Sequence, residues 1–320
     1  MSREGLPARR ERTQWEVVAF LAFIGMSAAF GIDASLPAFD EMRPDVGLPP
    51  GSNRITLAIT VYFLGMAGGQ IVYGPLSDRF GRMATLRVGM AIYAVGAAGS
   101  MLATDFGFLL GSRLVWGLGA SAASLMNLAI LRDLYSGTRM ARMMSLVTAV
   151  FLAGPVVTPL AAEGILRAAS WRWIYACGLV LAVAIVTWSL RFGETLHPDN
   201  RRPLRVGPTV DAFRQVVTCR RTVLYAATLL FVDGAFLIFL GSTQQVFDII
   251  YGRADQFAFL FAASAIPFAI GFLLVSPAIG RWGAHRVGLA VLSAALALAV
   301  ALLGLTLAAD GVPEFWTWLS

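Results

Sequence analysis

The chain has 320 residues, 58% hydrophobic and 14% charged, with a mean hydropathy of +0.71. A soluble domain of this length cannot hide so much apolar surface, which leaves a polytopic membrane protein as the class that fits. The net charge of +6 would suit nucleic acid, but the basic residues, all 25 of them arginine, sit in short connections between apolar runs, as membrane orientation requires.

The apolar runs are continuous over about 18 to 22 residues rather than alternating in short strands, so they predict helices and not a β-barrel. In chain order they give nine spans: Trp15–Ala38, Arg54–Tyr73, Leu86–Ala103, Phe106–Ile130, Met143–Leu166, Trp171–Arg191, Thr222–Ser242, Gln256–Val275 and Val287–Ala308. A tenth begins near Glu314. Arg9 and Arg10 precede the first run, which is too long for a signal peptide and lacks a small-residue cleavage site. Cys177 falls in an apolar run and Cys219 in a basic loop, so neither a disulfide nor a metal site is supported.

Arginines set the orientation. Arg3, Arg9, Arg10 and Arg12 of the tail, the turns after spans two, four and eight, and the central loop with Arg201, Arg202, Arg205, Arg214, Arg220 and Arg221 all lie on one side. The other side keeps Arg43, Arg54, Arg167, Arg172 and Arg253. The positive-inside rule places the N-terminus and the central loop in the cytoplasm. That loop, 192–221, carries Pro198, Pro203 and Pro208 and reads as a linker with a short amphipathic helix around Val210 to Val217. It separates a six-helix bundle, 1–191, from an incomplete second bundle, 222–320. An internal repeat supports the two halves: Pro75-x-x-x-Arg79-Phe80-Gly81 recurs as Pro277-x-x-x-Arg281-Trp282-Gly283, and Gly69 as Gly271, at an offset of 202.

Charged residues that break the apolar pattern are the candidates for chemistry. The stretch Gly74-Pro-Leu-Ser-Asp78-Arg79-Phe-Gly81-Arg82 reads as a tight turn at the membrane surface, where an acid and two arginines near helix ends can lock or release helices. Asp133, next to Arg132 at the end of the fourth span, lies on the same side and could pair with an arginine of that turn. Asp33 sits within the first span; an acid in hydrocarbon costs roughly 2.5–3.5 kcal/mol, so it should face a water-filled cavity or a partner, unless it lies near enough to the outer surface to reach water. Arg113 in the fourth span is its natural counter-charge, the alternative being a structural arginine held by carbonyls. Asp233 mirrors Asp33 at an offset of 200 and is either a second titratable site or an acid near the interface. Gly154, Pro155 and Pro159 in the fifth span would bend the helix and let a neighbour pack against the bend. No dinucleotide fingerprint, P-loop, metal-spaced His/Cys cluster or nucleophile elbow is present, so soluble enzymology, cofactors, metals and ATP-driven export by this chain alone are not expected.

The Gly74–Arg82 stretch resembles the signature loop of the major facilitator superfamily of secondary transporters. Several stretches resemble its drug:proton antiporters of the bicyclomycin/chloramphenicol-resistance type. They are Asp33-Ala-Ser-Leu-Pro37-Ala, Arg113-Leu-Val-Trp-Gly117-Leu-Gly119-Ala, Gly154-Pro155-x-x-Thr158-Pro159, Glu194-Thr-Leu, Gly241-Ser242, Tyr251-Gly252 and Phe257-x-x-x-Phe261. The resemblance implies an all-α membrane fold of two pseudo-symmetric bundles and proton coupling at Asp33, with an inner gate formed by Asp78, Arg79 and Arg82. It also implies a monomer of the bacterial inner membrane that exports amphipathic drug-like molecules against protons, without a cofactor. This chain departs from the branch in carrying Trp116 where relatives usually have Gln, Ala162 and Glu163 where a glycine pair usually stands, and Gly280 opposite Asp78 in the repeat. A repeat of this length would carry the second half to about residue 400, so the resemblance implies a C-terminally truncated member without the eleventh helix that faces Asp78 in relatives. The competing expectations are a proton-linked metabolite transporter and a non-transporting fragment.

Overall fold

The computed structural model describes residues 12–315 except 152–153, 204–205, 254–255, 258, 262, 264–266, 268–269, 272–277, 279–280, 310–311 and 313. Every regular element among the described residues is helical. The chain divides into two compact units, 1–243 and 244–320.

In the first unit α1 (Gln14–Asp33) starts at Thr13, whose hydroxyl accepts the Glu16 N–H at 3.1 Å. Pro37 lacks an N–H to continue the ladder, so the chain bends through a 3-10 turn at Leu36–Ala38 and resumes as α2 (Phe39–Asp45). The first apolar run is therefore a bent helix reaching Asp45, longer than the Trp15–Ala38 expected from hydropathy. It is followed by α3 (Leu57–Phe80), α4 (Arg82–Met101), α5 (Phe106–Leu134), α6 (Gly137–Phe151), α7 (Gly154–Leu166), α8 (Arg172–Phe192), α9 (Val206–Thr218) and α10 (Arg220–Gln245). The fifth span is helical on both sides of residues 152–153, which lie outside the described residues, and the linker helix includes Val206, four residues before the Val210 start that its sequence pattern suggested.

α5 forms the spine of this unit, flanked by α3 and α4, with α8 laid on α4 and α1 on α5. Its glycines make that possible. A Cβ at Gly117 would overlap the Tyr62 carbonyl of α3, and one at Gly119 would overlap the Tyr93 backbone of α4. Trp116, fully buried beside them, meets Tyr62, Tyr93 and Tyr175 edge-on at 6.1, 5.3 and 5.3 Å between ring centroids. Two of those tyrosines satisfy their hydroxyls on α1: Tyr62 donates to the Ala28 carbonyl at 3.0 Å and Tyr93 to that of Ser27 at 2.9 Å. The bare backbone of Gly96 lies against the Trp116 backbone, and that of Gly178 faces the indole; a Cβ at Gly178 would stand 2.9 Å from its ring.

Outside this core the polarity is that of a membrane protein. Leu64, Ile71, Val95, Val180, Val183 and Leu190 are all exposed, an apolar outer surface that water would not tolerate. Five of the described helical segments are long and apolar enough to cross a bilayer, among them α3, α5, α8 and the last helix described below. At the end of the bundle where α2 stops and α8 starts, the Asp45 carboxylate accepts from the Trp171 indole at 3.0 Å and from Arg172 at 2.5 Å, while Arg172 also donates to the Ala103 carbonyl at 3.3 Å.

The second unit contains a π-helical turn at Val246–Ile250, further helical residues between 256 and 282, and α11 (Ala284–Ala308). Phe247 packs edge-on against Phe257 and Phe315 at 5.6 and 5.3 Å, and Arg253 lies 4.5 Å over the Phe315 ring. The start of the linker is tied to the first unit, where the Arg202 N–H donates to the Asp78 carbonyl at 3.0 Å. The internal repeat has a backbone counterpart. Gly81 precedes α4 with φ +100°, and Gly283 precedes α11 with φ +80°, both in a region that a side chain disfavours.

Candidate functional site

The signature stretch is helix rather than loop. α3 runs through Gly74 and Asp78 to Phe80, α4 begins at Arg82, and Gly81 alone lies between them. The helix continues past Pro75, which withholds one N–H from the ladder. The outcome is to put Asp78 and Arg82 one helical turn apart across Gly81. Arg82 Nη1 reaches Asp78 Oδ1 at 2.7 Å and the Ser77 hydroxyl at 2.8 Å, and its Nε reaches Asp133 Oδ2 at the end of α5 at 2.9 Å. Arg82 and Asp133 are largely buried and Asp78 is half-exposed, so Arg82–Asp133 is the stronger bond of the two. Burial works against the charge on Arg82, but the bonds from Asp133 and Asp78 outweigh it and raise its pKa above the ordinary guanidinium value. Arg79 points away and is exposed.

A residue not assigned to this cluster from the sequence completes it. Glu194 follows α8, and its carboxylate caps α4: Oε1 accepts from the Arg82 backbone N–H at 2.9 Å and Oε2 from that of Met83 at 3.2 Å. The same Oε1 accepts the N–H groups of Thr195 and Leu196 at 2.9 and 3.0 Å, and the Thr195 hydroxyl reaches Asp133 at 3.3 Å. Gly81 is what admits this carboxylate, because a Cβ there would overlap it. The sequence signal was an acid just past a helix end in an arginine-rich stretch (Arg191, Arg201, Arg202).

Deeper in the bundle, Arg113 is fully buried. Its Nε donates to the Ala58 carbonyl at 3.2 Å and its Nη2 to the Ser35 hydroxyl at 3.1 Å. The guanidinium carbon lies 5.1, 5.2 and 5.9 Å from the ring centroids of Tyr62, Trp116 and Tyr175, an aromatic box around the cation. Nη1 is buried with no hydrogen-bond partner among the described residues. Asp33 is also buried, with 4% of its surface exposed, and its carboxylate has no ion pair among the described residues. The direct Asp33–Arg113 pair expected from charge alone is therefore not made in this structure. Ser35, two residues past Asp33, and the α3 carbonyl of Ala58 take the guanidinium instead, and the rings fix its plane.

The remaining candidates fall into two groups. Gly154 opens α7 beside Ala29 of α1, where a Cβ would come within 3.5 Å of the Ala29 methyl, and Pro159 is buried within α7. Glu163, one turn further on, pairs with Arg167 at 2.6 Å. The side chains of Pro155 and Asp233 lie outside the described residues, as do Pro277 and Gly280 of the repeat. Among the described residues no three His, Cys, Asp or Glu side chains converge as a metal site would require.

The chain is similar to proteins named as transporters and resistance proteins. The chain is 30% identical over 308 residues to an uncharacterized MFS-type transporter, YdgK, of Bacillus subtilis, covering 92% of this chain and 74% of that one. It is 30% identical to a bicyclomycin resistance protein homolog of Haemophilus influenzae, covering 88% of this chain and 72% of that one. A chloramphenicol resistance protein of Pseudomonas aeruginosa is 29% identical, with 84% of this chain and 64% of that one covered. The human organic anion transporter MFSD10 superposes with a TM-score of 0.59 at 17% identity, covering 87% of this chain and 81% of that one. A D-xylose-proton symporter superposes with a TM-score of 0.62 at 14% identity, covering 83% and 69%. Residues 21–320 match the Major Facilitator Superfamily, and the chain belongs to that superfamily of multi-pass membrane transporters.

Proposed function

We propose that the chain is a proton-coupled secondary exporter of drug-like or toxic small molecules, working by alternating access in the bacterial inner membrane with its N-terminus and linker in the cytoplasm. The observation that carries the proton-coupling half is the Asp33–Arg113 arrangement. A carboxyl group and a guanidinium are both buried in one bundle, and the guanidinium donates to the Ser35 hydroxyl, two residues past Asp33, instead of to the carboxylate. A buried acid away from a cation favours its neutral, protonated form, and one brought against a cation favours the ionised form. A motion that carries Asp33 to the unused Nη1 of Arg113 would therefore expel a proton, and the return motion would take one up. Drug export is supported by the relatives named for bicyclomycin and chloramphenicol resistance.

In this reading Asp33 carries the proton and contacts cationic substrate, Arg113 sets its affinity for the proton, and Asp233 is a second titratable candidate. Asp78, Arg82, Asp133 and Glu194 close the cytoplasmic side, Arg79 faces the headgroups, and Gly154, Pro155 and Pro159 form the bend that seals α7 against α1. The protein acts as a monomer, with the proton gradient as the only energy source. The test is efflux of a fluorescent amphipathic cation from proteoliposomes holding the full chain under an imposed pH gradient. Gradient-dependent efflux is the expected result. Substrate movement indifferent to the gradient would leave a facilitator and end the proton-coupled reading.

A further inference from the structure

We infer that Arg12, in the segment leading into α1, is a positioning residue of the cytoplasmic cluster that acts through Glu194. Its guanidinium closes on the end of α8: Nε donates to the Phe192 carbonyl at 2.8 Å, and Nη2 to the carbonyls of Gly193 and Glu194 at 3.0 and 3.1 Å. The cation also lies 4.6 Å over the Phe192 ring, itself stacked at 4.2 Å on Phe20 of α1. Carbonyls at a helix C-terminus are left without intrahelical donors and carry the negative end of the helix dipole, so a cation there is favoured twice.

The geometric consequence lies one residue further on. Gly193 turns the chain with φ +77°, and the turn delivers the Glu194 carboxylate to the first two N–H groups of α4. Three consecutive carbonyls held by one planar fork leave little freedom in where that carboxylate is aimed. Arg12 thus reaches the α3–α4 turn through the residue that caps it. A lysine would keep the charge but engage fewer of the three carbonyls. The link to gating rests on the transport reading above; the link from Arg12 to the α4 cap does not.

Hydrogen–deuterium exchange on the full chain in lipid nanodiscs separates the two. Arg12→Ala should speed exchange of the Arg82 and Met83 amides about tenfold, as loss of a cap opens the first turn of a helix locally. The α5 interior should be unchanged. Arg12→Lys should fall between wild type and Arg12→Ala, and Arg12→Ala/Glu194→Gln should exchange no faster at these amides than Glu194→Gln alone. Unchanged exchange at Arg82 and Met83 in Arg12→Ala, alongside faster exchange in Glu194→Gln, would overturn the inference. So would faster exchange throughout the bundle, which would make Arg12 a general stability residue. If Arg12→Ala does not insert, Arg12→Lys decides between the same outcomes: faster exchange confined to Arg82 and Met83 supports the coupling, and unchanged or bundle-wide exchange overturns it. Faster exchange confined to Arg82 and Met83 with gradient-driven efflux unchanged would count against the link to gating and leave the Arg12–Glu194 coupling standing.

Discussion

Replacing Arg113 by methionine separates a structural arginine from a functional one, and the structure sets the size of the effect. The side chain loses two hydrogen bonds from a charged donor, worth about 1.5–3 kcal/mol each, and three ring contacts worth roughly 0.5–1 kcal/mol each. Against that stands the desolvation of a buried cation with no carboxylate beside it, which costs several kcal/mol, and methionine fills much of the same volume. Little is orphaned by the change, because the Ser35 hydroxyl retains the Ile32 carbonyl at 3.3 Å. The losses and the relief of desolvation oppose each other, and a buried charge replaced by an apolar side chain of similar volume is often near neutral, so the thermal midpoint in nanodiscs, followed by intrinsic fluorescence, should move by only a few degrees in either direction. Gradient-driven efflux should be lost, since no cation remains to pull the proton from Asp33. Arg113→Lys should keep part of the efflux, and Arg113→Ala should lose it with a larger drop in stability from the emptied box. A fully folded Arg113→Met protein that still exports would sink the pairing with Asp33. Failure of both the methionine and the lysine variants to fold would make Arg113 purely architectural.

Asp33→Asn should insert and fold normally yet show no pH-gradient-driven efflux, while Asp33→Glu keeps part of it; undiminished efflux by Asp33→Asn rules out Asp33 as the coupling acid. Gly117→Ala forces a methyl into the Tyr62 carbonyl, so α3 and α5 must separate at a cost of about 1–3 kcal/mol, measurable as a lower thermal midpoint. Gly81→Ala meets both a backbone at φ +100° and the Glu194 carboxylate. It should cost about 1–3 kcal/mol and raise the rate at which a soluble maleimide labels a cysteine placed at Thr195 from the cytoplasmic side. Wild-type labelling rates in that variant would show that Gly81 does not keep the cluster closed.

Hydropathy located the spans of the first bundle because a bilayer rewards uninterrupted apolar length, and no tertiary contact is needed to see it. It misplaced the end of the first span, since the bend at Pro37 joins two helices that a window average cannot separate from a span and its loop. The signature stretch was recognisable, but its conformation was not. Asp78 and Arg82 were visible as charges, whereas their meeting across a single glycine depends on α3 staying helical to Phe80. Arg113 was assigned to Asp33 because charge is legible in one dimension. The competing partners, a serine two residues on and a carbonyl of another helix, are not. Glu194 was visible only as part of Glu194-Thr-Leu, because a cap on α4 supplied from beyond α8 is a contact 112 residues long.

The fit of the Trp116 indole against the bare backbone of Gly178 has a consequence for how this lineage can change. The indole and the side chain missing at 178 are one solution to one space, so the two positions cannot drift independently. A descendant that trades Trp116 for a smaller side chain opens room for a methyl or more at 178. One that enlarges Gly178 first must pass through an overfilled intermediate whose loss is of the order of 1–3 kcal/mol. The permitted order of substitution is therefore directional, with 116 shrinking before 178 grows. Among descendants, a bulky residue at 178 should mark chains that have already given up the tryptophan.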